Sequence, residues 1–245
     1  MELHISKNLN EVSNILADWM VQHIKETLQK KNRFTLALSG GNTPQKLHEL
    51  LASTNYKNKI DWNKMHIFFG DERFVPFNDE RNNAKMAFDS LLNHVPIPAS
   101  QIHIMQTENI SPEDSAKNYE EILKQYFPST FNQLPTTFDL VMLGMGDDGH
   151  TLSLFPHQTE IIHETKKWCV SFWLASQNMF RVTITHPVAN NSSTIIFLVS
   201  GSDKAKPLRE VLKGKYDPDL YPSQIIKPTI GELHWFIDEA AASLL

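Results

Sequence analysis

Apolar residues fall into two alternating patterns along this chain. Val12, Ile15, Leu16, Trp19, His23, Ile24 and Leu28 recur at helical spacing and predict a first helix of roughly five turns. Short apolar runs then predict strands near 34–38, 65–69, 102–105, 138–145, 169–173, 194–199 and 234–237. Helices are expected between them. One follows Thr43 as N-cap with Pro44 at the first helical position, and another follows Asn83. A third begins at Ser111-Pro112-Glu113-Asp114, with a serine cap, a proline and acids in the first turn, and runs to about Tyr126. Pro-rich stretches at 95–98 and 217–222 read as loops. Strand followed by helix, repeated, predicts an α/β fold with a mainly parallel sheet and helices on both faces. There is no repeat, low-complexity tract or long linker, so residues 1–245 are expected to form a single domain.

Four of these strands end in residues able to do chemistry, where open α/β sheets present their ligands. After 34–38 comes Ser39-Gly40-Gly41-Asn42-Thr43-Pro44. The glycines let backbone amides approach an anion, and the helix start adds free N–H groups and a positive dipole end. Gly40, Gly41, Asn42 and Thr43 are therefore candidate phosphate-binding residues, although the loop matches neither a Walker A motif nor G-x-G-x-x-G. A bare tight turn is the competing reading. After 65–69 comes Asp71-Glu72-Arg73, either a carboxylate acid/base pair or an ion network with the arginine. After 138–145 come Gly146-Asp147-Asp148-Gly149-His150. Histidine titrates near neutrality, and Asp148 is spaced to hold one ring nitrogen while the other faces a substrate. With 11 histidines in the chain, one in a turn would mean little by itself. The fourth strand leads into Gly201-Ser202-Asp203-Lys204. Four such ends able to converge on one rim carry more weight than any one of them.

These segments together resemble the 6-phosphogluconolactonase family of the sugar-phosphate-isomerase-like type. The resemblance rests on Ser39-Gly-Gly-Asn-Thr-Pro44, Gly70-Asp-Glu-Arg-Phe-Val-Pro76 with Asn82 and Asn83 downstream, Gly144-Met-Gly-Asp-Asp-Gly-His-Thr-Leu-Ser-Leu-Phe-Pro156, and Phe197-Leu-Val-Ser-Gly-Ser-Asp-Lys204. It extends from about Leu36 to the tail Trp235–Ala240, and the Gly-His-Thr-x-Ser-Leu-Phe-Pro element is its most specific part. It implies a three-layer, Rossmann-like fold and hydrolysis of 6-phospho-D-glucono-1,5-lactone. His150 would be the base activating water and Asp148 its orienting partner, with Arg73, Lys204 and Arg181 beside the glycine cradle on the phosphate. No metal or other cofactor is implied. The chain departs from the family at Asn42, Leu152, His186 and Pro207, the last bearing on where the helix after Lys204 starts. Two alternatives stand beside this reading. A deaminase or isomerase of the same superfamily shares the histidine loop but continues it as Ile-Ala-Phe-Asn-Glu-Pro, where this chain has Thr151-Leu-Ser-Leu-Phe-Pro156. A non-catalytic sugar-phosphate sensor would need an output segment, and no helix-turn-helix or basic patch is present.

Composition narrows the partners. A formal charge of −5 argues against nucleic acid or an anionic membrane, and leaves a small-molecule substrate held at a local positive site. Nothing in the sequence calls for a second copy, so a monomer is compatible with it. Cys169 is the only cysteine, which rules out an internal disulfide and a cysteine zinc cluster, and its apolar strand suits an inert buried thiol. The first residues lack the basic start and apolar stretch of a signal peptide, and no apolar run reaches membrane-spanning length. The expected compartment is the cytoplasm.

Overall fold

The structure, a computed structural model, describes residues 1–128 and 136–245. In chain order the strands are β1 (Glu2–Ser6), β2 (Phe34–Leu38), β3 (Met65–Phe69), β4 (Asp71–Arg73), β5 (Leu140–Leu143), β6 (Cys169–Leu174), β7 (Met179–Ile184), β8 (Thr194–Val199) and β9 (Glu232–Asp238). The helices are α1 (Leu9–Leu28), α2 (Asn42–Ala52), α3 (Asn83–Ser90), α4 (Pro112–Tyr126), α5 (Thr159–Ile162), α6 (His186–Asn190) and α7 (Ala205–Lys213). Six strands form one sheet in the order β1-β9-β8-β5-β2-β3, with every pairing parallel.

The continuous apolar runs in the middle strands follow from burial on both faces. Phe34, Leu36 and Leu38 of β2, Leu140 and Met142 of β5, and Ile196 and Leu198 of β8 pack into a core shared with α1, α2 and α3. The alternate residues Ala37, Val141, Leu143, Ile195, Phe197 and Val199 enter a second core that includes α4, α6 and α7. The layers are therefore helix, sheet and helix, as an α/β three-layer fold requires. The second face carries an addition: β4, β7 and β6 form a separate antiparallel sheet of three strands.

Several expectations need correction. The run 169–173 is a strand, but it belongs to this small sheet and not to the parallel one. Residues 102–105 form no strand. Ile102 makes one bridge to Ile67, and His103 N–H donates to the Ile67 carbonyl at 2.9 Å, after which pairing stops. Ile102 and Ile104 are anchored by packing against the first core instead of by a ladder. In α1 the buried stripe is Val12, Leu16, Met20 and Ile24 flanked by Ser13 and Ala17, whereas Ile15 is exposed. The i, i+4 row wins over the alternative face because it lies flat against β9 and α2. The N-cap of α2 is Gly41, which puts Pro44 third in the helix, still within the first turn where its missing N–H costs nothing. Pro207 is likewise third in α7 and leaves that helix intact. By contrast α4 matches its expected limits, with Ser111 Oγ accepting from Asp114 N–H at 3.0 Å. Cys169 is buried, and burial pushes its thiol well above the usual range. Among the described residues no helix is long and apolar enough to cross a membrane.

Candidate active site

β8, β5 and β2 are neighbours, so their carboxyl ends lie side by side. The loops leaving them, together with residues of β4 and β7, enclose a cleft of about 390 Å³, within the usual range for small-molecule sites. Of the residues singled out from sequence, Gly40, Gly41, Asn42, Thr43, Arg73, His150, Arg181 and Lys204 all line it. Asp148 lies behind His150.

The loop after β5 is built to hold that histidine. Gly146 N–H donates to the His150 carbonyl at 2.9 Å and Gly149 N–H to the Gly146 carbonyl at 3.1 Å, closing a tight turn. Gly149 has φ +80°, a left-handed conformation that favours glycine, and the Tyr221 ring packs where a Cβ would project. A Cβ on Gly146 would stand 2.1 Å from His150 Nδ1. The imidazole therefore depends on a bare backbone beneath it. Asp148 Oδ1 lies 2.6 Å from His150 Nδ1 and accepts the His150 backbone N–H at 3.0 Å. Burial pushes the Asp148 carboxyl up, but the hydrogen bonds and charge of His150 outweigh it and leave the group below the usual carboxylate value. The imidazole also stacks on Phe155, with ring centres 4.2 Å apart. With Nδ1 engaged, Nε2 is the nitrogen without a protein partner among the described residues. The side chain is a quarter exposed, reachable by solvent and substrate.

The glycine turn after β2 is equally constrained. A Cβ on Gly40 would fall 1.8 Å from Asn83 Oδ1, so the turn and α3 can approach only with glycine there. Gly41, at φ +101°, caps α2 without a side-chain bond, leaving first-turn N–H groups at the cleft. Asn83 ties this wall together: its Nδ2 donates to the Asp71 carbonyl at 2.9 Å, and its Oδ1 accepts from Arg73 Nη1 at 2.7 Å.

Asp71 and Glu72 point to opposite sides of β4 and do different work. Glu72 is buried and accepts from Arg73 N–H at 2.8 Å, Asn83 N–H at 2.6 Å and Ala84 N–H at 2.8 Å. It holds the start of α3, and burial pushes its pKa up to about 7 against the pull of those donors. Asp71 lines the cleft and accepts from Arg181 Nη2 at 2.7 Å and Ser153 Oγ at 2.6 Å. Its burial cost is outweighed by Arg181, Ser153 and Arg73, which keep it below the usual carboxylate range. The two carboxylates are thus not a joint acid/base pair.

The three cations differ in what they have left to offer. Arg181 commits Nε to Ser153 Oγ at 2.8 Å and Nη2 to Asp71, and is almost wholly buried. Lys204 Nζ lies 3.1 Å from Asp203 Oδ2. The Arg73 guanidinium contacts only neutral oxygens, of Asn83 and of the Arg81 backbone at 3.1 Å, and has no carboxylate within ion-pair distance among the described residues. Asn83 and Ser153 stood in the segments that carry the resemblance, but with no role at the site, because the contacts that give them one reach Asp71 from 12 and 82 residues away.

The chain as a whole is similar to known proteins. A family model described as glucosamine-6-phosphate isomerases/6-phosphogluconolactonase matches residues 7–235. The chain is 39% identical to a 6-phosphogluconolactonase of Nostoc sp. over 93% of its length and 91% of that protein. It is 38% identical to one of Synechocystis sp. over 91% of its length and 89% of the relative. The crystal structure of devB protein superposes with a TM-score of 0.87 at 32% identity, covering 99% of this chain and 98% of that one.

Proposed function

Since the chain belongs to the glucosamine-6-phosphate isomerase/6-phosphogluconolactonase family, we propose that its cleft hydrolyses 6-phospho-D-glucono-1,5-lactone to 6-phospho-D-gluconate with His150 as general base. The activity, a step of the oxidative pentose phosphate pathway, is that of relatives 38 and 39% identical over most of the chain. The observation that carries the mechanism is the imidazole held at Nδ1 by Asp148, 2.6 Å away, on a wall of the same cleft as Arg73, Lys204 and the α2 amides.

The substrate carries a phosphate at one end and an ester carbonyl at the other. The phosphate sits on Gly40–Thr43 and meets Arg73 and Lys204, while Arg181, held by Asp71, positions the wall behind them. His150 Nε2 takes a proton from water as the water oxygen bonds to the lactone carbonyl carbon. Asp148 steadies the imidazolium. As the tetrahedral intermediate collapses, the ring C–O bond breaks and His150 returns its proton to the departing ring oxygen. Such general-base action is typically worth about 10²–10⁴-fold, with positioning adding more. No oxidation state changes, so the reaction asks for no nicotinamide. We infer a small-molecule partner and not a nucleic acid or a membrane, in keeping with a formal charge of −5, and propose the cytoplasm as the compartment.

The test is decay of lactone generated in situ from glucose 6-phosphate, followed with and without the protein. Wild type is expected to accelerate it, and His150→Ala to lower kcat by several hundredfold with little change in phosphate-ester binding. Near-normal turnover by His150→Ala would remove the histidine from the mechanism. Arg73→Ala is expected mainly to raise KM; an unchanged KM would retire its phosphate role.

A further inference from the structure

On the edge strand β1, Glu2 and His4 lie two residues apart and so face the same side of the sheet. Glu2 stands in register with His234 on β9, and His4 with Phe236. The parallel pairing brings three donor atoms together: Glu2 Oε2, His4 Nε2 and His234 Nδ1. His4 Nε2 is 3.2 Å from His234 Nδ1, Glu2 Oε2 is 3.3 Å from His234 Nδ1, and Glu2 Oε2 is 3.7 Å from His4 Nε2.

We propose that Glu2, His4 and His234 form a zinc-class divalent metal site that clips β1 to β9. Zn²⁺ bonds to histidine nitrogen and carboxylate oxygen of about 2.0–2.1 Å put tetrahedral ligand atoms about 3.3–3.4 Å apart. The observed triangle is close to one face of that tetrahedron. The fourth position belongs to solvent, because the Glu2 side chain is largely exposed while His234 is buried. Imidazole and carboxylate suit a borderline ion such as Zn²⁺ better than Mg²⁺ or Ca²⁺, which favour all-oxygen shells.

Two further features fit a ligand role. The second ring nitrogen of His234, Nε2, lies 3.3 Å from Glu232 Oε2. A carboxylate holding the far nitrogen of a ligating histidine fixes its tautomer and orients its ring, here leaving Nδ1 as a lone pair facing the gap. The His4 ring is set by stacking on Phe236 with centres 4.2 Å apart, and Trp19 of α1 packs against His234 at 5.1 Å. A metal ion satisfies all three donors at once. The site lies toward the amino-terminal ends of β1 and β9, whereas the cleft is at the carboxyl ends of the parallel strands, so it is independent of the hydrolytic reading.

The experiment is a calorimetric titration of the full, tag-free chain with Zn²⁺, paired with the visible spectrum of the Co²⁺ complex. One equivalent is expected to bind, and Co²⁺ to give the intense d–d bands of a four-coordinate site. Glu2→Gln and His4→Gln should each raise Kd at least tenfold, and Glu232→Gln about ten- to hundredfold as a carboxylate behind the ligand. His150→Ala should bind as wild type does. Circular dichroism of the two ligand variants shows whether they remain folded, and Glu2, whose side chain is largely exposed, is the one whose substitution disturbs least packing. Absence of Zn²⁺ binding by wild type would overturn the site, as would an affinity unchanged in folded His4→Gln or Glu2→Gln.

Discussion

Gly146 shows how narrowly the site depends on single atoms. A methyl group there would stand 2.1 Å from His150 Nδ1 and 2.6 Å from Asp148 Oδ1, so the pair would have to move. Gly146→Ala is expected to lower kcat about a hundredfold, the scale of a 1 Å misplacement, while circular dichroism stays native. Full activity in that variant would show that the ring finds another way to its place. Asp71 is a different case, since its carboxylate is the counter-charge of buried Arg181. Asp71→Ala leaves that guanidinium unpaired and should cost about 3–5 kcal/mol in urea unfolding. A loss under 1 kcal/mol would mean that water reaches Arg181 freely. Sequence offered Asp71 only as one of two adjacent carboxylates, because neither Arg181 nor Ser153 is near it along the chain.

Elements were legible in proportion to how locally they are determined. α4 carries its own start signals in Ser111, Pro112, Glu113 and Asp114, and begins where they place it. β4 and β7 carry no such signal. Asp71–Arg73 is short and polar, and becomes a strand because β7 pairs with it, Asp71 opposite Thr183 and Arg73 opposite Arg181. β1 was missed for a related reason: it is a half-exposed edge strand whose partner lies at the other end of the sequence. α3 combines both kinds of control. Asn82 caps it locally, its Oδ1 accepting from Lys85 N–H at 2.8 Å, while Glu72 reaches in to accept two more of its amides. Glu72→Ala strands those buried donors and should cost about 2–4 kcal/mol, with Arg73 and Asn83 displaced and KM raised. Glu72→Gln keeps an acceptor and should lose less. Equal losses in the two variants would argue that the charge, not the hydrogen bonding, holds the helix.

For the molecule as a whole, acid is expected to weaken the fold. Burial holds His48, His103 and His186 down to about 4, so on unfolding each regains its ordinary value and takes up a proton between about pH 6.5 and 4. Stability from these three is complete above pH 6.5 and lost as pH falls toward 4. Glu72 acts in the opposite sense: with its pKa raised to about 7, the folded state holds its proton more tightly and gains as pH falls from 7 to 4.5. The histidines outnumber it, and each net proton changes stability by at most about 1.4 kcal/mol per pH unit, less for half-exposed His103 and His186. The urea midpoint should therefore drop between pH 6.5 and 4.5, and drop more steeply in Glu72→Gln. A flat profile would mean the histidines are hydrated in the fold. We also propose that residues 1–245 unfold as one domain, since β1 and β9 close one sheet from the two ends of the chain. Tryptophan fluorescence and far-UV circular dichroism should report a single coincident transition; two separated transitions would divide the chain.

Sequence periodicity and strand-end chemistry were enough to indicate a parallel α/β sheet and to place His150 with Asp148, because both rest on neighbours within a few residues. A buried strand must be apolar on both faces, and a loop histidine two residues from an aspartate needs only a tight glycine turn to meet it. The antiparallel sheet, the commitment of Arg181 to Asp71, the wedge of Asn83 against Gly40 and the Glu2–His4–His234 cluster depend on segments far apart in the chain. Those contacts come into being only when the strands pair in register, since pairing is what fixes which side chains share a face and how far apart they stand.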